Sequence, residues 1–295
     1  MNTKKLKKIK TFDVVNALVM IVICFCMVYP VWYVIVNSLS EGTEVLKGGI
    51  YWWPRKFCIK NYTAVFESSE IFTAFGITIL KTVIGTVTSV FFTAMVAYGL
   101  SKTYLVGRKI FMMLGVITMF FSGGLIPYFL VIKSLGMLDS FWVYIIPSLF
   151  SFYNAIIFMT FFRNIPAELE ESAKIDGTND FVIFLRIILP VSTPVIATIA
   201  LFNGVGQWND YFTGVIYITN KQYLVPIQTF LYKVISESSS TRITANMPAS
   251  VRSSMVTSTT VKYATMVVTT FPIVCVYPFL QKYFVQGIMV GSVKG

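Results

Sequence analysis

The carboxylates of this chain cluster in one short segment, 163–180. The whole chain has 13 Asp and Glu residues. Those in the segment are Glu168, Glu170, Glu171, Asp176 and Asp180. Paired carboxylates can act in general acid–base catalysis, but this spacing is typical of the edge of a helix. Pro166 suits a first helical position and Gly177 a left-handed stop, and the helix dipole stabilises carboxylates in the first turn.

An acidic helix of this kind has two candidate roles. It can dock in a groove of a soluble partner, or it can rest on lipid as an amphipathic helix. Inner leaflets are anionic and attract Lys and Arg, so docking is the favoured interpretation. One face of the helix would hold Leu169, Ser172, Ala173 and Asp176. A second helix, capped by Thr178 or Asn179, would follow.

A second group of chemically capable residues mixes aromatic, amide and carboxylate side chains. It consists of Trp208, Asn209, Asp210 and Tyr211. Such a mixture can bind a sugar or contact another protein. The alternative is an interfacial aromatic anchor with a polar network at a helix end. Tyr128 and Trp142 are weaker candidates of the same kind, for which packing is the favoured interpretation.

The composition restricts the class of protein. The 295 residues are 56% hydrophobic and 13% charged, with a formal net charge of +11. Soluble domains have about 25% charged residues, so the chain is predicted to be a polytopic membrane protein, and the positive charge indicates loops near a membrane rather than a nucleic-acid site. The chain has no His and four Cys without ligand spacing. These features argue against a catalytic triad, a metal site or a disulfide framework.

Six apolar segments approach the ~20 residues that a membrane-spanning helix needs. They are 14–38, 78–101, 110–132, 141–162, 188–206 and 263–284. The sequence therefore predicts one all-α membrane domain, 1–295, with six transmembrane helices. The cytoplasmic loop would be 163–187, and the long external loops 39–70 and 207–262. Lysines at positions 4, 5, 7, 8 and 10 precede the first segment, so the positive-inside rule places both termini in the cytoplasm.

Lys81 is the exceptional residue of the second segment. A lysine at mid-membrane costs ~2.5–3.5 kcal/mol on insertion scales. The favoured interpretation makes 71–80 an interfacial amphipathic stretch, with Lys81 extending to the outer edge of the membrane. A lysine that faces an inner cavity is the alternative.

Several segments contain residues that interrupt helices. These are Ser122-Gly123-Gly124, Pro127, Pro147, Pro272 and Pro278. Any one of them can be a packing kink. Together they favour a transport pathway, because broken helices inside a membrane need protein or water to satisfy the freed backbone groups.

The acidic segment resembles a family signature. Glu171-Ser172-Ala173, then Gly177, then Ile187-x-Leu189-Pro190 are similar to the EAA-x3-G-x9-I-x-L-P motif of the membrane subunits of binding-protein-dependent ABC importers. Ser172 departs from the second Ala of that motif but is also small. The resemblance implies a type I ABC importer permease fold, a bacterial cell membrane, and insertion of this segment into a cleft of a cytoplasmic ATPase.

The resemblance also implies partners and residue roles. The chain would pair with a second, homologous permease, two copies of the ATPase and an extracellular sugar-binding protein. ATP and Mg²⁺ would bind the ATPase, since this chain has no P-loop motif, and no cofactor would bind here. Glu171 would make a charged or polar contact with the cleft, and Ala173 would pack against its wall. The full set of coupling residues would be Glu170, Glu171, Ser172, Ala173, Asp176, Gly177, Leu189 and Pro190.

Further segments resemble the carbohydrate-uptake branch of this family, which includes the maltose permeases. They include Asn61-Tyr62, Ala97-Tyr98, Gly107-Arg108 and 208–212. Two others, 121–127 and 277–295, resemble the subgroup that imports oligosaccharides or polysaccharide fragments. The resemblance also implies that 236–254 could reach into the binding protein. One alternative drawn from the residues is a stand-alone secondary transporter or channel, disfavoured because no acid lies within the predicted spans except Asp13 at an edge. Another is a membrane enzyme, disfavoured because the acids cluster in the 163–180 segment, where their spacing suits docking better than catalysis.

Overall fold

The computed structural model describes residues 11–240 and 259–275. Within these ranges the regular elements are helical, apart from one isolated antiparallel bridge between Ser40 and Phe57. The prediction of an all-α chain is confirmed for this part of the protein. The described residues form two compact units, 11–68 with 234–240 and 259–269, and 69–233 with 270–275.

The helices are numbered in chain order. They are α1 (Thr11–Ser38), α2 (Gly42–Lys47), α3 (Lys60–Glu67), α4 (Ser69–Ser101), α5 (Arg108–Phe120), α6 (Leu125–Ser134), α7 (Phe152–Phe162), α8 (Glu168–Ile175), α9 (Asp180–Ile183), α10 (Leu189–Val191), α11 (Thr193–Asn209), α12 (Phe212–Tyr217), α13 (Ile227–Ser240) and α14 (259–275). Two 3-10 turns, Phe141–Tyr144 and Gln222–Leu224, and a π-helical turn, Phe184–Ile188, complete the set in the described ranges.

Two of the described helices, α1 and α4, are long and apolar enough to cross a membrane. Two bent pairs add to them if each is one broken span: α5 with α6, bent by 116°, and Asp180–Val191 with α11, bent by 84°. The predicted number of six stays a prediction, since 276–284 of the last segment lies outside the described residues.

In the first unit, a buried asparagine joins the start of α3 to the end of α1. The amide nitrogen of Asn61 donates to the main-chain oxygens of Ser38 and Ser40, at 2.9 and 3.0 Å. The hydroxyl groups of Tyr62 and Ser38 lie 2.7 Å apart. The pair Asn61-Tyr62, noted in the sequence, therefore closes the loop between α1 and α3.

In the second unit, α4 packs along α11 and α7. Small residues on α4, such as Ala94 and Ala97, are fully buried and let the neighbouring helices approach. Large side chains from the other helices fill the remaining space, among them Phe158, Phe184 and Ile199. This packing fixes the position of α4 relative to the residues described below.

The interpretation of 71–80 as a separate interfacial stretch is corrected. The helix α4 begins at Ser69 and continues without a break through Lys81 to Ser101, a length of 33 residues. Lys81 has no exposed surface, so its side chain is buried within the protein rather than extended away from it. The reason is a partner distant in sequence, Asp210, which the hydropathy pattern does not reveal.

Three other predicted segments differ from the observed helices. The third is broken after Phe120, where Gly124 adopts φ +85°. The fourth is α-helical only from Phe152. Pro147 has no N–H to donate, so the 3-10 turn at 141–144 does not continue as an α-helix. The fifth turns at Ser192 and its helix α11 extends to Asn209, so Trp208 and Asn209 belong to a helix rather than to the external loop 207–262.

Candidate functional site

The acidic segment folds as a short helix with a well-defined end. The helix α8 covers Glu168–Ile175, and Gly177 follows with φ +75°. The N–H of Thr178 donates to Ala173 O and the N–H of Gly177 to Lys174 O, each at 3.0 Å. These two bonds form a Schellman motif, which needs a residue that tolerates the left-handed region. The predicted stop at Gly177 is confirmed.

The second predicted helix of the segment is also present. Asn179 caps α9, with its side-chain oxygen accepting from the N–H of Val182 at 2.9 Å. Of the two candidate caps, Asn179 rather than Thr178 performs this role. The sharp chain reversal between α8 and α9 therefore follows from the residues at 177–179.

The outward face of α8 combines acidic and aliphatic side chains. Glu171, Ser172 and Asp176 are exposed, and so are Ile175, at 87% of its surface, and Leu169, at 42%. An exposed Ile at the end of an acidic helix has no stabilising role within the chain. This surface is therefore suited to contact with another protein.

Ion pairs from two segments brace α8, one from the loop between α4 and α5 and one from the start of α9. Near its start, Glu170 forms an ion pair with Lys102, whose ammonium group lies 4.1 Å from the ring centroid of Tyr98. Near its end, Lys174 pairs with Asp180 at 3.2 Å, and that hydrogen bond raises the pKa of Lys174. Lys102 is not among the predicted residues, because a basic residue just after an apolar helix is a common feature that does not indicate a specific partner.

Three of the predicted coupling residues, Ala173, Leu189 and Pro190, do not lie on the outer face of α8. Ala173 and Leu189 are half-buried and pack against the core of their own unit. The side chain of Ala173 thus contacts its own chain on one side, and its packing against an ATPase wall stays a prediction. Pro190 is exposed within the single turn of α10.

A cavity of about 320 Å³ lies beside α11 in the second unit. Its volume falls in the ~300–1,000 Å³ range of small-molecule sites. The lining combines hydroxyl, amide, carboxylate and aromatic groups. It consists of Tyr128, Val143, Tyr144, Pro147, Ser148, Phe202, Asn203, Gly206, Gln207, Asp210 and Thr213.

The carboxylate of Asp210 is held at the edge of this cavity by Lys81. The Lys81 ammonium donates to the main-chain oxygen of Asp210 at 2.9 Å and to Oδ2 at 3.2 Å. The other carboxylate oxygen accepts from the N–H of Thr213 at 3.1 Å. Asp210 keeps 26% of its side chain exposed, while Lys81 keeps none. Asp210 therefore belongs to a polar network at a helix end, as the alternative interpretation expected, and its carboxylate also borders the cavity.

Gln207 lines the cavity and is hydrogen-bonded to Tyr144, at the end of the 3-10 turn Phe141–Tyr144, and to Ser148. Its amide nitrogen donates to Tyr144 O at 3.2 Å and to the Ser148 hydroxyl at 2.8 Å. Its side-chain oxygen is buried and accepts no hydrogen bond from the described residues. Gly85 of α4 leaves space for this side chain, because a Cβ at that position would lie 2.8 Å from the amide nitrogen.

The structure separates the predicted pathway residues into two sets. Tyr128 and Asp210 line the cavity. The others do not: Trp208 packs near Phe75, Tyr211 stacks on Tyr232, Trp142 is exposed beside Phe141, and Asn209 is exposed at the end of α11. Asn203 and Gln207 also line the cavity but are not among the predicted residues. Two polar residues at i, i+4 in an apolar helix are a recognisable signal of such a site.

Comparisons with known proteins agree with the sequence motif. Residues 11–290 match the family described as binding-protein-dependent transport system inner membrane components. The chain belongs to this family. It is therefore the membrane subunit of an ABC importer and acts in transport rather than as an enzyme, in association with an ATPase and a binding protein.

Individual relatives support the same conclusion. The chain is 42% identical over 98% of its length to the polygalacturonan/rhamnogalacturonan transport system permease protein YtcP of Bacillus subtilis (strain 168), and covers 100% of that protein. It is 26% identical over 92% of its length, and 93% of the relative's, to the arabinooligosaccharides transport system permease protein AraQ of Halalkalibacterium halodurans. These matches give no support to the alternative of a stand-alone secondary transporter.

A solved structure extends the comparison to the fold. A chain of a bacterial ABC transporter involved in the import of the acidic polysaccharide alginate superposes with a TM-score of 0.84 at 31% identity. The match covers 96% of this chain and 100% of that chain. The predicted type I importer permease fold is confirmed.

Proposed function

We propose that this permease carries an oligosaccharide across a bacterial cell membrane, driven by a separate ATPase that docks on α8. One observation carries the proposal: α8 presents Ile175 and Leu169 beside exposed carboxylates, on a helix that its own chain braces from the other side. A surface of this kind needs an apolar groove with polar edges. The relatives whose names specify oligosaccharide or polysaccharide transport support the substrate class.

The proposed assembly contains two permeases and two ATPase copies. This chain offers a single α8 surface and therefore one docking point for an ATPase. A second homologous permease would supply the other docking point and the other half of the pathway. ATP and Mg²⁺ would bind the ATPases, and an extracellular binding protein would deliver the sugar to the opposite end.

The proposed orientation places α8 and both termini in the cytoplasm. The end of α4 at Ser101 lies beside α8, because Lys102 pairs with Glu170. The start of α4, at Ser69, would then face the exterior. The lysines that precede α1 support this orientation through the positive-inside rule.

Affinity purification of the full chain from native membranes, followed by subunit stoichiometry, tests the assembly. We expect recovery of a second permease and two ATPase copies for each copy of this chain. Reconstitution of that complex with its binding protein should give oligosaccharide uptake that needs ATP. Recovery of the chain alone, or uptake that needs an ion gradient instead of ATP, would contradict the proposal.

A further inference from the structure

We infer that this subunit itself binds one sugar unit, in the cavity beside α11, with Gln207 and Asn203 as contact residues. The inference rests on the proposed function and adds a site that the sequence motifs do not identify. It concerns the cavity described above, which is separate from the docking surface on α8.

The first support is an unused acceptor at the cavity wall. The Gln207 side chain is 8% exposed, its nitrogen is committed to Tyr144 O and the Ser148 hydroxyl, and its oxygen accepts nothing from the described residues. A buried polar atom without a partner is costly. Gln207 lines the cavity but its oxygen has almost no accessible surface, so a small turn of the side chain toward the cavity would let a sugar hydroxyl donate to it and remove that cost.

The second support is the chemistry of the neighbouring groups. Asn203 lies one helical turn before Gln207 on α11 and lines the same cavity, and its amide nitrogen donates to Ile199 O at 3.2 Å. Its side-chain oxygen is an acceptor that a sugar hydroxyl in the cavity would use. Tyr128 adds an aromatic ring that is 47% exposed, which suits the apolar face of a sugar ring.

The third support is the charge at the cavity wall. Asp210 is the one charged residue among those that line the cavity in the described structure. Its carboxylate is fixed by Lys81 and Thr213 but is still partly exposed. The lining adds hydroxyl groups of Tyr128, Ser148 and Thr213, and a polyhydroxylated ligand can both donate to and accept from groups of these kinds.

The test is uptake by the reconstituted complex of permeases, ATPases and binding protein. The probes are purified galacto-, arabino- and galacturono-oligosaccharides, and the imported probe is used to compare Gln207→Leu and Asn203→Leu with the unaltered complex. The loss of one hydroxyl contact should raise KM by about 3- to 10-fold. Gln228→Leu makes the same change outside the cavity on α13 and should leave KM unchanged.

The two variants protect the test against misfolding. Gln207→Leu also removes the bonds to the 3-10 turn, whereas Asn203→Leu removes only a local bond within α11. If the unaltered complex imports a probe and Asn203→Leu keeps the same KM, the inference is overturned and the proposed function stands. If the unaltered complex imports none of the probes with ATP, both fail. A fall in kcat alone, without a change in KM, would also overturn the inference.

Discussion

The ammonium group of Lys81 lies 2.9 Å from the main-chain oxygen of Asp210 and 3.2 Å from its carboxylate, although 129 positions separate the two residues. Asp210 immediately follows α11, where the helix dipole places partial negative charge. The ring of Tyr144 lies 4.8 Å from the same ammonium group. A fully buried lysine is therefore tolerated in an apolar helix because its charge is compensated.

Replacing Asp210 should destabilise the protein more than replacing Lys81. Asp210→Ala leaves a fully buried cation without its carboxylate and should destabilise the protein by about 3–5 kcal/mol. Lys81→Met leaves a carboxylate that water can reach through the cavity, so its cost should be smaller. Thermal unfolding of the purified complex measures both, and the double variant Lys81→Met with Asp210→Asn should recover part of the loss. Equal costs for the two single variants would contradict the role assigned to burial.

The approach of Gln207 to Gly85 predicts a position-specific effect of a single methyl group. In Gly85→Ala the new Cβ would lie 2.8 Å from the Gln207 amide nitrogen and 3.0 Å from its carbonyl carbon. Overpacking of this kind costs about 1–3 kcal/mol, and displacement of Gln207 should lower uptake. Gly99→Ala is the matched control on α4, since its Cβ would meet nothing within 4 Å. Similar melting temperatures for the two variants would show that Gln207 adapts.

The brace between Lys102 and Glu170 should transmit motion of α8 to α4. Lys102→Glu places like charges together in a pair whose side chains are 15% and 18% exposed, so the sugar transported per ATP hydrolysed should fall. The exchange Lys102→Glu with Glu170→Lys should restore much of that ratio. Lys174→Ala is a control, because its pair with Asp180 is 41% and 51% exposed and such pairs contribute about 0–1 kcal/mol. Failure of the exchange to restore coupling would refute a role for this ion pair.

The proposed docking surface predicts loss of coupling without loss of folding. Glu171→Lys changes an exposed residue of α8 and should weaken co-purification of the ATPase by about tenfold, the expected order for a charge pair at a protein interface. Glu168→Lys alters the same first turn and the same helix dipole and serves as the control. Identical binding by both variants would show that net charge, rather than position, determines docking.

Gly177 should be replaceable only by residues that tolerate its backbone conformation. Gly177→Val forces a β-branched residue to φ +75°, at a cost of about 1–2 kcal/mol or more, and should disorder the turn after α8. Asn is found at such helix ends, so Gly177→Asn should keep ATPase co-purification. Full uptake by the Val variant would be inconsistent with a structured turn at this site.

The loop that Asp139 holds is predicted to resist acid. The Asp139 carboxylate accepts from the N–H groups of Thr219, Asn220 and Lys221, at 2.8, 2.9 and 3.3 Å, and these bonds hold its pKa well below the usual range. A carboxyl group with a lowered folded-state pKa stabilises the loop above its unfolded pKa, about 3.9, and loses this effect only as the pH falls through the folded value. Hydrogen exchange at Thr219 and Asn220, corrected for intrinsic rates, should show constant protection from pH 7 to pH 4.

Asp139→Asn provides the comparison for that experiment. An amide lacks the negative charge that strengthens these bonds, and its NH2 group would face the Thr219 hydroxyl and the Asn220 amide nitrogen that now donate to Oδ2, so protection of the Thr219 and Asn220 amides should fall at every pH. Protection in the unaltered protein that disappears near pH 4 would show that the Asp139 carboxyl titrates normally and would refute the assignment.

Local chemistry was enough to predict the acidic segment. Pro166, the first-turn glutamates and Gly177 act within a few residues of one another, and the observed α8, its Schellman motif and the Asn179 cap follow from them. The direction in which Ala173 and Glu170 face could not be predicted in the same way. Both sides of a short helix carry small or acidic residues, and the choice depends on where Lys102 and the core lie.

The sequence by itself determined that the chain is apolar and helical and that residues 171–190 resemble the motif of its family, because composition and short-range spacing record those properties directly. Only the tertiary structure decided that Lys81 is buried, that α4 is one helix across it, and that Asn203 and Gln207 rather than Trp208 and Tyr211 line a cavity. The physical reason is the close packing of α4 on α11. This packing brings together charges 129 residues apart. The periodicity of one segment does not show which distant residue compensates a charge within it.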